Sequence, residues 1–196
     1  MTDFIYEKDA DGIVTVTMDM QGQSANTMNN RYIPGMNDVL AKLHAEDDLK
    51  GVVFASAKKT FFAGGDLGEM LANKQTPEAL FAYIEANKAP YRELEKLPVP
   101  VVAAVNGAAL GGGYELCLAC NHRIVLNSPK AIVGLPEVTL GLLPGAGGVV
   151  RLTKLLGLEK ALPYLLEGKP SKPQAALKAG LVDEIVETVD DLIPAA

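Results

Sequence analysis

Val101-Val102-Ala103-Ala104-Val105-Asn106-Gly107-Ala108-Ala109-Leu110-Gly111-Gly112-Gly113-Tyr114-Glu115 decides the fold class. Val101 to Val105 is an unbroken apolar run of strand length, as expected for a strand buried on both faces. Asn106-Gly107 turns the chain. Gly111-Gly112-Gly113 leads into a helix expected from Tyr114 to about Cys120. A buried strand, a glycine turn and a helix in this order belong to an α/β architecture.

Outward from this segment the alternation continues in both directions. Gly12 to Met18 is β-rich and reads as a strand. Arg31 to His44 places Met36, Val39, Leu40 and Leu43 at a helical period. Val52 to Ala55 is a short buried strand. Pro77 opens a helix running to about Lys96, with proline at the first turn, and Pro98 and Pro100 stop it. Arg123 to Leu126 and Ala131 to Val133 read as short strands. Gly145 to Leu155, Lys160 to Glu167 and Pro173 to Ala179 read as helices, and Leu181 to Pro194 as a short strand with a capped turn. No segment repeats. The one linker-like spot, Pro170-Ser171-Lys172-Pro173, is too short to separate domains, so residues 1–196 are expected to form one domain.

The composition narrows the function. Of 196 residues, 48% are hydrophobic, enough for a substantial core. The 19 glycines therefore point to tight turns rather than disorder. A net charge of -6 argues against a nucleic-acid surface, which needs a basic patch to displace counterions. The N-terminal stretch Met1 to Glu7 lacks the basic and apolar regions of a signal peptide. The longest apolar run, Val99 to Leu110, is interrupted by Asn106 and Gly107, so no membrane span is expected. The simplest reading is a soluble, cytoplasmic protein.

Two glutamates stand in turns shaped by glycine or proline: Glu115 after three glycines, and Glu137 within Gly134-Leu135-Pro136-Glu137. A carboxylate at a helix mouth is stabilised by free N–H groups and the helix dipole. Two carboxylates in different environments can divide acid and base roles. On residue types alone, Glu115 also reads as an ordinary helix-start charge and Glu137 as a solvated loop residue. Two glycine turns follow buried strands, Ala63-Gly64-Gly65-Asp66 and Gly111-Gly112-Gly113. Glycine lets a backbone N–H approach a ligand, and two such groups aimed at one point make an oxyanion hole. Plain turn geometry accounts for the same residues equally well.

Other motifs carry less. Cys117-Leu118-Ala119-Cys120 has no second pair to complete a metal site, so core packing is expected and no metal. His44 and His122 have no partner at a telling spacing. Gly145-Ala146-Gly147-Gly148-Val149-Val150 lacks the third glycine of a dinucleotide fingerprint, and no phosphate-binding P-loop occurs.

Taken in order, five segments resemble the crotonase (enoyl-CoA hydratase/isomerase) superfamily. Ser24 to Asn29 resembles the family's early asparagine motif beside the CoA. Phe61 to Leu67 and Ala104 to Glu115 resemble its two oxyanion loops. Leu135 to Gly148 is similar to its second catalytic segment, and Ala175 to Glu184 to its late helix and turn. The resemblance implies a spiral of repeated ββα units, with backbone oxyanion donors at Gly65 and Gly112 and catalytic glutamates at Glu115 and Glu137. It implies substrate contacts at Ala25, Asn26, Ala63, Gly64, Asp66, Leu67, Gly111, Pro136 and Gly145. Hydratases of the family carry both glutamates, whereas members that only shift double bonds keep the match to Glu137. The implied activity is therefore hydration of 2-enoyl-CoA in fatty-acid β-oxidation, with no cofactor and acyl-CoA as the small-molecule partner. Double-bond isomerisation and CoA binding without catalysis are the alternatives.

The sequence departs from the family pattern in three places. Gly65 stands where many members have alanine, a change that a backbone donor survives. The stretch around Ser128-Pro129-Lys130 is slightly long. Family members continue past the match to Ala196 into helices that help close the acyl pocket and often form trimers, so a truncated C-terminal helical segment is expected. Leu181 to Ala196 most resembles the hydratase half of bifunctional β-oxidation enzymes, where a dehydrogenase half follows.

Overall fold

The computed structural model describes residues 3–72 and 76–196; Met1 and Thr2, the start of the N-terminal stretch read above, lie outside the described residues. A six-stranded sheet carries the structure. In sequence order its strands are β1 (Phe4–Lys8), β2 (Ile13–Met18), β3 (Gly51–Ser56), β4 (Val101–Val105), β6 (His122–Leu126) and β8 (Glu184–Val186), and they lie side by side in that order. Only β1 pairs antiparallel, with β2; every other pairing is parallel. Parallel strands need crossovers, and helices supply them: α1 (Tyr32–Ala45), α2 (Leu67–Ala72), α3 (Pro77–Lys96), α4 (Gly112–Ala119), α5 (Gly148–Leu156), α6 (Leu158–Glu167) and α7 (Pro173–Ala179); α8 (Leu192–Ala195) follows the last strand.

A second, narrower layer gives the chain its spiral form. The two-residue strands β5 (Ala109–Leu110) and β7 (Val133–Gly134) pair in parallel, and isolated bridges Met28 to Gly65, Phe62 to Ala109 and Val133 to Ser171 extend the stack. Each turn thus runs from a long strand to a short crossing segment to a helix. This is the repeated ββα winding expected from the resemblance.

The core lies between the sheet and its helices. Val14, Val16 and Met18 of β2 are fully buried along one face, and Phe54 of β3 joins them. From α1, Met36, Val39, Leu40 and Leu43, the stripe predicted by the helical period, are buried, and Tyr32 joins them. Helix α3 begins as expected: the Thr76 side chain accepts from Ala79 N–H at 3.3 Å and Pro77 occupies the first turn.

Several boundaries move. Helix α4 starts at Gly112, not Tyr114, so two of the three glycines form its first turn. Helix α5 starts at Gly148, because the Gly145–Gly147 backbone is used to hold Glu115, as described below. Ala131 to Val133 becomes Val133–Gly134. The turn around Glu137 is a 3-10 turn, Pro136–Leu140. Strand β1 and helix α2 were not expected.

Gly113 has a tight position. A Cβ there would collide with the Phe62 carbonyl oxygen and lie 2.7 Å from the Phe62 Cβ. Gly113→Ala is therefore expected to destabilise the fold by about 3 kcal/mol, the upper range for overpacking. Urea denaturation would measure it, and an unchanged midpoint would refute the tight fit.

Candidate active site

The two glycine loops meet beyond the ends of β3 and β4. Gly64 has φ 93° and Gly111 φ 53°, the left-handed side of conformational space that side-chain-bearing residues avoid. A Cβ on Gly64 would lie 2.9 Å from the Leu110 carbonyl oxygen, and one on Gly112 would lie 3.9 Å from the Gly64 Cα. The loops are packed backbone to backbone, and a methyl group on Gly64 would force them apart. Gly65 and Gly112 N–H donate to no backbone acceptor among the described residues. As the first residue of α4, Gly112 has no acceptor within its own helix.

Glu115 lies one turn into α4 and is 2% exposed. Its Oε1 accepts from the Ala146 N–H at 2.8 Å and the Gly148 N–H at 2.7 Å. Burial raises its pKa to about 7; the Gly148 N–H opposes the rise, and the nearby charge of Glu137 adds to it. The loop supplying those N–H groups is itself held. Arg151 donates from Nη1 to the Ala146 carbonyl at 2.8 Å and grips Glu95 of α3 through Nε and Nη2.

Glu137 sits at the start of the 3-10 turn, beside the second glycine loop: a Cβ on Gly111 would lie 2.9 Å from its Oε1. Its Oε2 is buried without a hydrogen-bond partner. Burial raises this carboxyl pKa as well, against a lowering contribution from its own backbone N–H. Two carboxyls, both shifted toward the neutral form, thus face one space beside two backbone donors.

That space is a cavity of about 990 Å³. Ala63, Gly64, Gly65, Leu67, Gly111 and Gly112 line it, as do Glu115, Pro136, Glu137 and Gly145. Ala25, Asn26 and Asp66 stand outside its wall. The Asn26 amide is fully engaged: Oδ1 accepts from Met20 N–H at 3.0 Å, and Nδ2 donates to the Ser56 Oγ at 2.9 Å, the Phe61 carbonyl at 3.1 Å and the Met18 carbonyl at 3.2 Å. It shapes the first glycine loop rather than facing the cavity. Asp66 caps α2, its Oδ1 accepting from Glu69 N–H at 3.0 Å.

The apolar part of the cavity was missed from sequence. Leu80, Tyr83, Ile84 and Asn87 of α3 form one wall, and Leu140, Leu142 and Leu143 another. The α3 residues recur at helical spacing, a signal that was present; what a period cannot say is whether the stripe faces core or cavity. Cys117 and Cys120 are buried and unpaired, and among the described residues no three or more His, Cys, Asp or Glu side chains gather as a metal site. No helix among the described residues is long and apolar enough to cross a membrane.

The sequence model of the family described as enoyl-CoA hydratase/isomerase matches residues 8–195. Over 177 residues, 90% of this chain, the sequence is 47% identical to the fatty acid oxidation complex subunit alpha of Shewanella halifaxensis and 43% identical to that of Shewanella baltica. The chain spans a quarter of the length of these curated relatives, 25% in both cases. An enoyl-CoA hydratase from Bacillus anthracis superposes with a TM-score of 0.89 at 32% identity, covering 99% of this chain and 73% of that one. An enoyl-CoA hydratase from Thermoplasma volcanium superposes with a TM-score of 0.88 at 28% identity, covering 100% of this chain and 76% of that one.

Proposed function

The chain belongs to the enoyl-CoA hydratase/isomerase family, and from that premise we propose that it adds water to the double bond of a 2-enoyl-CoA thioester. The observation that carries this reading is Glu115: a buried carboxyl, with its pKa near neutrality, sharing a cavity with a second carboxyl and two unengaged glycine N–H groups. The Gly65 and Gly112 N–H groups hold the thioester oxygen. Water oxygen bonds to C3 as the C2–C3 π electrons move toward that oxygen, giving an enolate whose charge the two donors stabilise. One proton of the water is taken by a carboxylate and one proton is returned to C2. Hydroxyl and hydrogen end on C3 and C2, and no electrons leave the substrate. The reaction so written calls for neither a redox cofactor nor a metal.

Leu80, Ile84, Leu140 and Leu143 suit an apolar acyl chain. The names of the sequence relatives support a place in fatty-acid β-oxidation. The same reading includes a single crotonase-like unit over residues 1–196, a cytoplasmic setting and either a trimeric assembly or a dehydrogenase half in the same polypeptide. Glu137 alone would support double-bond isomerisation as a second activity of the site.

Loss of the conjugated thioester absorbance of crotonyl-CoA tests the reaction. Steady loss, with 3-hydroxybutyryl-CoA as product, is expected. Binding without turnover would replace the enzyme reading with that of a CoA-binding module. Isothermal titration should give heat with acyl-CoA and none with NAD; the reverse pattern would overturn the assignment.

A further inference from the structure

We propose that Tyr32 and Tyr91 are a pair of positioning residues that hold the two oxyanion loops in register from beneath. The inference rests on the hydration reading and extends it to residues that do not touch the substrate.

Both tyrosines are fully buried. Tyr91, on α3, donates from Oη to the Gly112 carbonyl oxygen at 2.9 Å. Its Oη also lies 3.0 Å from the Tyr32 Oη, at the start of α1. A carbonyl oxygen can only accept, so the Tyr91 proton goes to Gly112 and the proton between the two hydroxyls comes from Tyr32. The result is a directed chain, Tyr32 to Tyr91 to the Gly112 carbonyl, in which each bond polarises the next. Burial raises both phenol pKa values, so both protons stay in place across the working pH range.

The pair reaches the other loop through its rings. Tyr32 meets Phe62 edge-to-face, with centroids 5.0 Å apart. Phe62 belongs to the first oxyanion loop, and its backbone ties that loop to the second: its N–H donates to the Ala108 carbonyl at 3.0 Å and its carbonyl accepts from the Leu110 N–H at 3.0 Å. One buried pair thus touches the first loop by ring contact and the second by a hydrogen bond. An apolar pair would fill the same space, but it would not anchor the Gly112 carbonyl, one peptide unit on from the donor N–H of the same residue. Two donors serve one oxygen only when both point at it, and small misplacements are costly in rate.

Tyr91→Phe, Tyr32→Phe and the double variant test this by steady-state hydration of crotonyl-CoA and by the absorbance of bound 2,4-hexadienoyl-CoA. That conjugated thioester shifts to longer wavelength as its carbonyl is polarised. Tyr91→Phe is expected to lower kcat about tenfold, less than outright loss of an oxyanion donor, with KM within about twofold, and to shrink the red shift. Tyr32→Phe should do the same to a smaller degree, and the double variant should match Tyr91→Phe, since Tyr32 acts through Tyr91. If Tyr91→Phe fails to fold, Tyr32→Phe, which keeps the bond to Gly112, carries the test. Variants that lose thermal stability but keep the parent kcat and red shift would overturn the inference, leaving the pair as packing. A parent protein that neither hydrates crotonyl-CoA nor shifts the dienoyl absorbance would instead overturn the hydration reading itself.

Discussion

Glu115→Gln is expected to lower kcat for crotonyl-CoA hydration by roughly 10²-fold or more, the scale of general acid–base catalysis, while making the folded chain more stable above neutral pH. Both effects come from one environment. The carboxyl is buried, and its pKa rises from 4.5 to about 7. Between those two pH values the folded protein keeps a proton that the unfolded chain has released. Stability therefore falls as pH rises through this window and stays lower above it. At roughly 1.4 kcal/mol per pKa unit, the full loss is about 3 kcal/mol. Glutamine cannot ionise, so the variant avoids it, and its amide oxygen can still accept from Ala146 and Gly148 N–H. Urea denaturation at pH 5 and pH 8 should show the variant nearly level with the parent at the lower pH and ahead at the higher. The parent rate should change through neutral pH as this group titrates, and the variant should lose that limb. Equal stability at pH 8 would mean that the carboxyl is not held near neutrality. The burial that costs stability also gives the glutamate a pKa suited to exchanging protons near pH 7.

The fold was most legible where its cause is local. Val101 to Val105 was read to the residue and the helix from Pro77 to about Lys96 was placed closely, because a bounded apolar run and a proline-started helix need no tertiary information. Strand β1 escaped because it is an edge strand whose Glu7 and Lys8 dilute the apolar pattern. Helix α2 has six residues, too few for a period to register. The candidate site was legible wherever backbone conformation demands glycine. Gly64 and Gly111 have positive φ, and that requirement is written in the residue type. Asn26 shows the opposite case. Its motif was visible, but only the folded chain reveals that its amide serves the Met18, Met20 and Phe61 backbone and the Ser56 hydroxyl, so that the cavity gains shape from it and no contact. The Tyr32–Tyr91 pair was invisible for a similar reason: the two residues are 59 positions apart, and no local pattern joins them.

Glu137→Gln is expected to suppress hydration by a comparable factor and, unlike Glu115→Gln, to suppress any double-bond isomerisation as well. Isomerisation moves a proton from one carbon of the acyl chain to another, a task that one base can perform by taking the proton and giving it back. On the proposed reading Glu137 is that base. One of its carboxyl oxygens adjoins the Gly111 backbone, in the loop that contributes the Gly112 donor, while the other is buried without a partner. Glu115, in contrast, has one oxygen bound by two backbone N–H groups, which fixes its orientation and suits it to holding water. Removing Glu115 therefore takes away a partner that hydration needs and a shuttle does not, whereas removing Glu137 takes away the shuttle itself. The measurement pairs crotonyl-CoA hydration with conversion of 3-enoyl-CoA to 2-enoyl-CoA for the parent and both variants, with circular dichroism confirming that each is folded. Isomerisation surviving in Glu137→Gln but lost in Glu115→Gln would reverse the two roles. Parent-level hydration in both variants would rule out the two-carboxylate mechanism.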